Sequence, residues 1–193
     1  MLLPVHKLKL GYTPQEVEQM TQAYYELEKW PDEHPGFLLK GDRIPGIVLR
    51  PSMFDFEIFR KIENKYPFLE DRLSFINTSA ESNGFNAHSD DQHCSVFCML
   101  VSDNTTETRW LKIKKAPAFQ FGHHLYGCQP HPDGEFEVYH SEILQQGNTY
   151  LFDSNTFHTV VNRNENFRVT ATWWLEKISF YNAYTYFTEH DFI

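Results

Sequence analysis

Paired cysteines, a membrane-length apolar run and an excess of positive charge are all missing from this sequence, and each absence removes a class of protein. Only three cysteines occur in 193 residues, and Cys94, Cys98 and Cys128 form neither the even set of a secreted disulfide framework nor the paired Cys-x-x-Cys of a structural zinc site. A reducing, cytoplasmic setting is the expectation. The opening Met1-Leu2-Leu3-Pro4-Val5-His6-Lys7 holds no sustained apolar stretch, and no later segment approaches the ~20 apolar residues that cross a bilayer. The chain is therefore expected to be soluble and unprocessed, with no membrane partner. Lys and Arg number 17 against 26 Asp and Glu, a formal charge of −9. That balance argues against nucleic acid as a partner, because displacing counterions from a phosphate backbone needs a basic patch. The basic cluster Lys112-Ile113-Lys114-Lys115 reads as a solvated strand end. Internal repeats, low-complexity tracts and Gly- or Ser-rich linkers are also lacking. One domain over residues 1–193 is the consequence, with a helical part over 1–70, a β core over 73–175 and a tail over 176–193. Nothing in these patterns sets an oligomeric state.

What is present is a helices-then-strands order. Thr13, Pro14 and Glu16 make a capping box with proline at the first helical position, after which Val17, Met20, Tyr24 and Leu27 recur on one face. This helix should stop before Pro31. Ser52 is the expected cap of a second helix, whose stripe Phe59, Ile62 and Tyr66 ends at Pro67. From Leu73 onward, short β-branched and aromatic runs alternate with Gly, Asn, Asp and Pro, the pattern of an antiparallel sandwich or barrel. Strands are expected over 73–78, 94–101, 109–113, 119–121, 135–140, 149–152, 158–161 and 167–175. Val96 to Val101 is apolar on both faces and should be a central, doubly covered strand. An aromatic content of 16% suits a β fold with a ring-lined cavity.

Chemistry concentrates in two places. In an extended segment residues two apart project to one side, so His88 and Asp90 of His88-Ser89-Asp90 can share a metal ion. A second histidine from elsewhere completes the two-His-one-carboxylate triad, which leaves coordination positions open. Alone, His-x-Asp is common by chance. Its counterpart lies in the C-terminal third, where His158 and Arg168 flank the turn-forming Asn162-Arg163-Asn164-Glu165-Asn166. A hairpin pivoting near Arg163 sets His158 and Arg168 opposite one another on neighbouring strands. Alternation then turns Arg168, Thr170, Thr172 and Trp174 inward, with Val169, Ala171, Trp173 and Leu175 facing the other way. A row of Arg, Thr and Thr is costly in a plain apolar core but suits a cavity for a polar ligand, since guanidinium binds carboxylate through two parallel hydrogen bonds.

His88-x-Asp90, His158 and Arg168-Val169-Thr170 together resemble the Fe(II)/2-oxoglutarate-dependent oxygenase superfamily, over Leu73 to Leu175. Ile76-Asn77-Thr78 with Gly84, Phe85, His88, Asp90 and Asp91 is similar to prolyl-4-hydroxylase-like members. Phe152-Asp153, His158, Val160, Asn162 and Arg168 resemble the aspartyl/asparaginyl hydroxylase branch. The resemblance implies a mainly β fold, a double-stranded β-helix (jelly roll) with N-terminal helices packed on the major sheet. It implies a dioxygenase in which His88, Asp90 and His158 are catalytic and hold Fe(II). Arg168, Thr170 and Asn77 would bind the cosubstrate 2-oxoglutarate, for which Asn77 also has a plain reading as a strand-end turn residue. With O2 as second cosubstrate, such an enzyme hydroxylates an unactivated C–H bond and releases succinate and CO2. The substrate is left open among an amino acid, a peptidyl residue and a small metabolite, because Thr106-Glu107-Thr108-Arg109-Trp110 stands where many prolyl-4-hydroxylase-like members carry a Gly-Gly-Glu type segment.

Two alternatives stay open. Gly147, His158 and Asn162 have the spacing of a second cupin motif, which would make a cupin-type metal-dependent enzyme, although Glu is absent after His88 until Glu107. A non-catalytic β-sandwich binding module would keep the fold and not the reaction. His123, His124, Cys128, His131 and His140 crowd one segment without the spacing of a compact zinc site, and residues 122–134 read as a loop at a cavity mouth. Cys94 and Cys98 read as small buried hydrophobes, and Tyr181, Tyr184, Tyr186 and Phe187 as a closing flap or a surface packed on a neighbour.

Overall fold

The structure, a computed structural model, describes residues 2–28, 48–49, 56–69, 73–78, 89, 94–115, 135–161, 168–175 and 177–193. Nine strands and three helices fall within them: β1 (Val5–Leu8), α1 (Pro14–Glu28), β2 (Val48–Leu49), α2 (Glu57–Lys65), β3 (Leu73–Thr78), β4 (Ser95–Val101), β5 (Glu107–Lys115), β6 (Glu135–Ile143), β7 (Thr149–Phe152), β8 (His158–Val161), β9 (Arg168–Trp174) and α3 (Phe180–Glu189). The strands form two antiparallel sheets, one of six in the order β1-β7-β4-β9-β3-β2 and one of three in the order β6-β5-β8. The strand expected over 119–121 lies outside the described residues.

Side-chain alternation on the central strands divides the interior in two. From β4, Val96, Cys98 and Leu100 enter a core that contains Met20 and Tyr24 of α1, Ile58 and Ile62 of α2, and Ala183 and Phe187 of α3. Phe97 and Met99 point the other way, into a second core with Trp110 of β5 and Tyr150 and Phe152 of β7. The helices thus cover the back of the six-stranded sheet, and its front packs on the three-stranded sheet. Strand β4 is covered on both faces, as its unbroken apolar run requires.

Local chemistry explains the helix ends. Thr13 N donates to Glu16 Oε2 at 2.8 Å and Glu16 N to Thr13 Oγ1 at 3.2 Å, the reciprocal capping box that starts α1. Helix α2 departs from expectation. It begins at Glu57, its N-cap is Phe56, and no side chain caps it; Ser52 lies outside the described residues. The Phe56 ring instead packs edge-on against Phe59, with centroids 6.1 Å apart, so an apolar contact fixes the entry of the chain. Helix α3 is a second departure. Ser179 Oγ accepts from Asn182 N, and Ala183 and Phe187, four apart, bury one stripe. Phe187, Tyr184 and Tyr186 therefore pack into the helix-side core of this chain, while Tyr181 stays 69% exposed. Strands β1 and β2 within the first 70 residues also went unforeseen, being only four and two residues long. Among the described residues no helix is long and apolar enough to cross a membrane.

The expected hairpin of β8 and β9 does not form. Strand β8 pairs with β5 in the small sheet, with His158 opposite Trp110 and Val160 opposite Thr108. Strand β9 is flanked on both sides, by β4 and by β3, so neither of its edges is open to β8. The alternation expected for β9 does hold, with Val169, Ala171, Trp173 and Leu175 in the helix-side core.

Candidate functional site

Opposite that apolar row, β9 presents Arg168, Thr170 and Thr172 to the space between the sheets, with only 8%, 4% and 2% of their surfaces exposed. Register sets Met99 beside Thr170 and Phe97 beside Thr172, so the polar row lies against the aromatic core. Thr170 Oγ1 and Thr172 Oγ1 share a hydrogen bond of 3.0 Å, which uses the proton of one hydroxyl and a lone pair of the other. Arg168 reaches across the sandwich instead. Its Nη1 donates to Thr108 Oγ1 of β5 at 2.8 Å, between two fully interior residues. The Nε proton finds no acceptor, and among the described residues no carboxylate pairs with the guanidinium. Burial alone pushes its pKa down to about 10. A cation held in the interior with one neutral hydroxyl for company is expensive, and buried charge ordinarily persists only beside a counter-charge.

Across from β9, on the small sheet, His158 is 5% exposed. Its Nδ1 lies 2.8 Å from the carbonyl oxygen of Thr156. Since a carbonyl can only accept, Nδ1 carries the proton and the lone pair sits on Nε2, the tautomer suited to ligating a metal through Nε2. The ring also stands edge-on to Phe152, with centroids 4.8 Å apart, so packing as well as hydrogen bonding holds its orientation.

His158 and Arg168 thus face one interior from opposite sheets. Strand β5 relates them. Thr108, which takes the guanidinium, and Trp110, register partner of His158, are two residues apart on the inner side of β5. That separation is ~7 Å along the strand.

Of the other residues singled out from sequence, His88 and Asp90 lie outside the described residues, as do His123, His124, Cys128 and His131. Among the described residues no group of three His, Cys, Asp or Glu converges as a metal centre. Asn77 lies on β3 at the register position of Val169. His140 lies on β6 with its ring 5.3 Å from that of Trp110, apart from any zinc cluster among the described residues. Cys94 and Cys98 are buried free thiols. Thr108 was missed. Its signal was the alternation Thr106, Thr108, Trp110, all of which are buried, in a segment otherwise noted only for what it lacks.

In fold the chain is similar to the non-haem α-ketoglutarate-dependent epimerase SnoN from nogalamycin biosynthesis, at a TM-score of 0.52 and 12% identity, over 88% of this chain and 76% of that one. It is likewise similar to AviO1 from Streptomyces viridochromogenes, at a TM-score of 0.50 and 11% identity, over 83% of this chain and 84% of that one. No family model and no curated protein matches the sequence. At these identities what is shared is the fold.

Proposed function

We propose that the chain is an Fe(II)/2-oxoglutarate-dependent dioxygenase built on a double-stranded β-helix, which hydroxylates an unactivated C–H bond of an amino acid, a peptidyl residue or a small metabolite. The observation that carries this reading is the buried guanidinium of Arg168, which among the described residues has a hydroxyl partner and no counter-charge. A carboxylate ligand supplies what that group lacks, through the paired hydrogen bonds that guanidinium geometry favours. The jelly-roll assignment draws on connectivity: from β4 the chain passes to β5 and β6 of the small sheet, back to β7, across to β8 and back to β9. SnoN, of similar fold, is described as α-ketoglutarate-dependent.

One metal ligand and the cosubstrate cation that this reading requires are among the described residues. His158 offers Nε2 from a fixed tautomer. His88 and Asp90 would complete the ligand set, in the span that leaves the sheet at Thr78, the register partner of Arg168. Iron, when bound, supplies oxygen activation and the oxidative decarboxylation of 2-oxoglutarate to succinate and CO2. The protein's own share is to bind and orient. Arg168 takes the distal carboxylate, Thr170 adds a hydroxyl beside it, and the rings of Phe152 and Trp110 keep water from the interior.

Anaerobic addition of Fe(II) and 2-oxoglutarate to the folded protein is expected to give a weak visible charge-transfer band, and aerobic turnover to release succinate. His158→Ala should abolish the band. A folded wild-type protein that binds iron yet gives neither band nor succinate would favour a cupin-type metalloenzyme. One that retains no iron would favour a binding module, and either result refutes the dioxygenase.

A further inference from the structure

We infer that Asp153 is a positioning residue that, through the hydroxyl of Thr156, sets which nitrogen of His158 is open to a metal; the inference rests on the function proposed above. The imidazole keeps its proton on Nδ1 because that nitrogen faces the carbonyl oxygen of Thr156 at 2.8 Å. A carbonyl points only where its peptide plane points, so the tautomer depends on what fixes the peptide between Thr156 and Phe157. Both sides of that peptide are tied. On one, Thr156 Oγ1 donates to Asp153 Oδ2 at 2.6 Å, a short bond of the charge-assisted kind. On the other, the Phe157 carbonyl accepts from Leu111 N of β5 at 2.8 Å.

Asp153 is itself firmly placed. Its N–H donates to the Pro4 carbonyl at 2.8 Å, just ahead of β1, and its neighbours Phe152 and Ser154 are buried. Since a carboxylate only accepts, the one hydroxyl proton of Thr156 goes to Asp153, which leaves the lone pairs of Oγ1 for the Tyr139 hydroxyl that reaches it from β6. The Thr156 side chain is thus gripped from two sides and cannot change rotamer without breaking both contacts. Without the carboxylate, the peptide after Thr156 can rotate and its oxygen leave Nδ1, and the proton is free to pass to Nε2 through solvent. An imidazole protonated on Nε2 has no lone pair to offer a metal there. The Phe152 ring, edge-on at 4.8 Å, still holds the imidazole in place, so what is lost is the tautomer and not the packing.

The test reads the tautomer directly, by long-range proton–nitrogen NMR of the metal-free, nitrogen-labelled full chain at about pH 8.5, above the ordinary imidazole range, with His158 assigned by its loss in His158→Ala. Wild type should carry the proton on Nδ1 alone. Asp153→Ala and Thr156→Val should each give a mixture of both tautomers, and Thr156→Ser, which returns the hydroxyl, should restore the wild-type spectrum. Anaerobic titration with Fe(II) should show affinity lowered about fivefold in the first two, less than the roughly ten- to hundredfold of losing a ligand's direct outer partner, because the Thr156 carbonyl is retained. Asp153→Asn, which keeps an acceptor of the same shape, serves should the alanine variant not fold, with a smaller shift in the same direction. A contact that merely closes the turn predicts lower thermal stability with His158 still protonated on Nδ1 alone, and that result overturns the inference while leaving the dioxygenase standing. A wild type protonated on Nε2 overturns it as well. Failure of the wild type to bind Fe(II) while it keeps the Nδ1 proton overturns the dioxygenase itself.

Discussion

Replacing Arg168 by Met should make the ligand-free protein no less stable and the ligand-loaded protein much less so. Burial lowers the guanidinium's pKa to about 10, far enough below its ordinary value to correspond to about 3 kcal/mol of desolvation cost carried by the folded state. The sign is clear. Below pH 10 the group is protonated in both folded and unfolded chains, so the full cost is present at neutral pH; it is relieved only as pH rises from the folded toward the unfolded pKa. Against it stands the bond to Thr108, whose loss costs roughly 1.5–3 kcal/mol. Methionine fills a similar volume without charge, so the ligand-free variant should gain between ~0 and ~1.5 kcal/mol, a rise of at most a few degrees in Tm. Saturating 2-oxoglutarate reverses the order, since ligand at a hundredfold over Kd adds about 2.7 kcal/mol to the wild type and nothing to the variant. Thermal unfolding with and without Fe(II) and 2-oxoglutarate under anaerobic conditions checks both halves. Ligand-free destabilisation by the ~3–5 kcal/mol typical of breaking a paired buried ion would show that Arg168 has a counter-charge and refute the reasoning.

Two further outcomes follow from parts of the fold away from the site. Burial pushes the thiols of Cys94 and Cys98 up to about 12 from the ordinary 9.0, so the thiolate is scarce in the folded state. Iodoacetamide at pH 8 should leave both unmodified in the native protein and alkylate both after denaturation, as mass spectrometry of their peptides would show. Above pH 9 the unfolded chain sheds these protons first, so the pair lowers stability progressively as pH climbs toward 12. Phe187→Ala removes a fully buried ring from the helix-side core and should cost about 3–5 kcal/mol, or roughly 10 °C in Tm. Since α3 lies behind the six-stranded sheet, 2-oxoglutarate affinity measured below that transition should stay within about twofold of wild type.

Sequence carried the features whose physics is local. The capping box of α1 needs only Thr13 and Glu16, and the period-two polar row of β9 is visible in Arg168-Val169-Thr170-Ala171-Thr172 whatever strand lies beside it. The unbroken apolar run of β4 announced burial on both faces in the same way. Pairing between strands was another matter. The turn-rich span after β8 suggested a hairpin, yet β8 finds its partner some fifty residues back in β5. His158 and Arg168 still face one interior, from opposite sheets instead of from neighbouring strands. Thr108 was illegible for the same reason: its partner lies 60 residues away, and only the folded chain brings hydroxyl and guanidinium together. Helix α3 was hidden by its aromatic content, which suggested a surface role while Ala183 and Phe187 kept helical spacing.

The two ends of the site are anchored by different kinds of atom. The imidazole is steered by a main-chain oxygen, which no substitution at position 156 can delete so long as the local turn survives. Among the described residues the guanidinium depends on one side-chain hydroxyl that a single codon change removes. Mutational drift should therefore loosen the hold on the guanidinium far more readily than it changes how the ring is aimed.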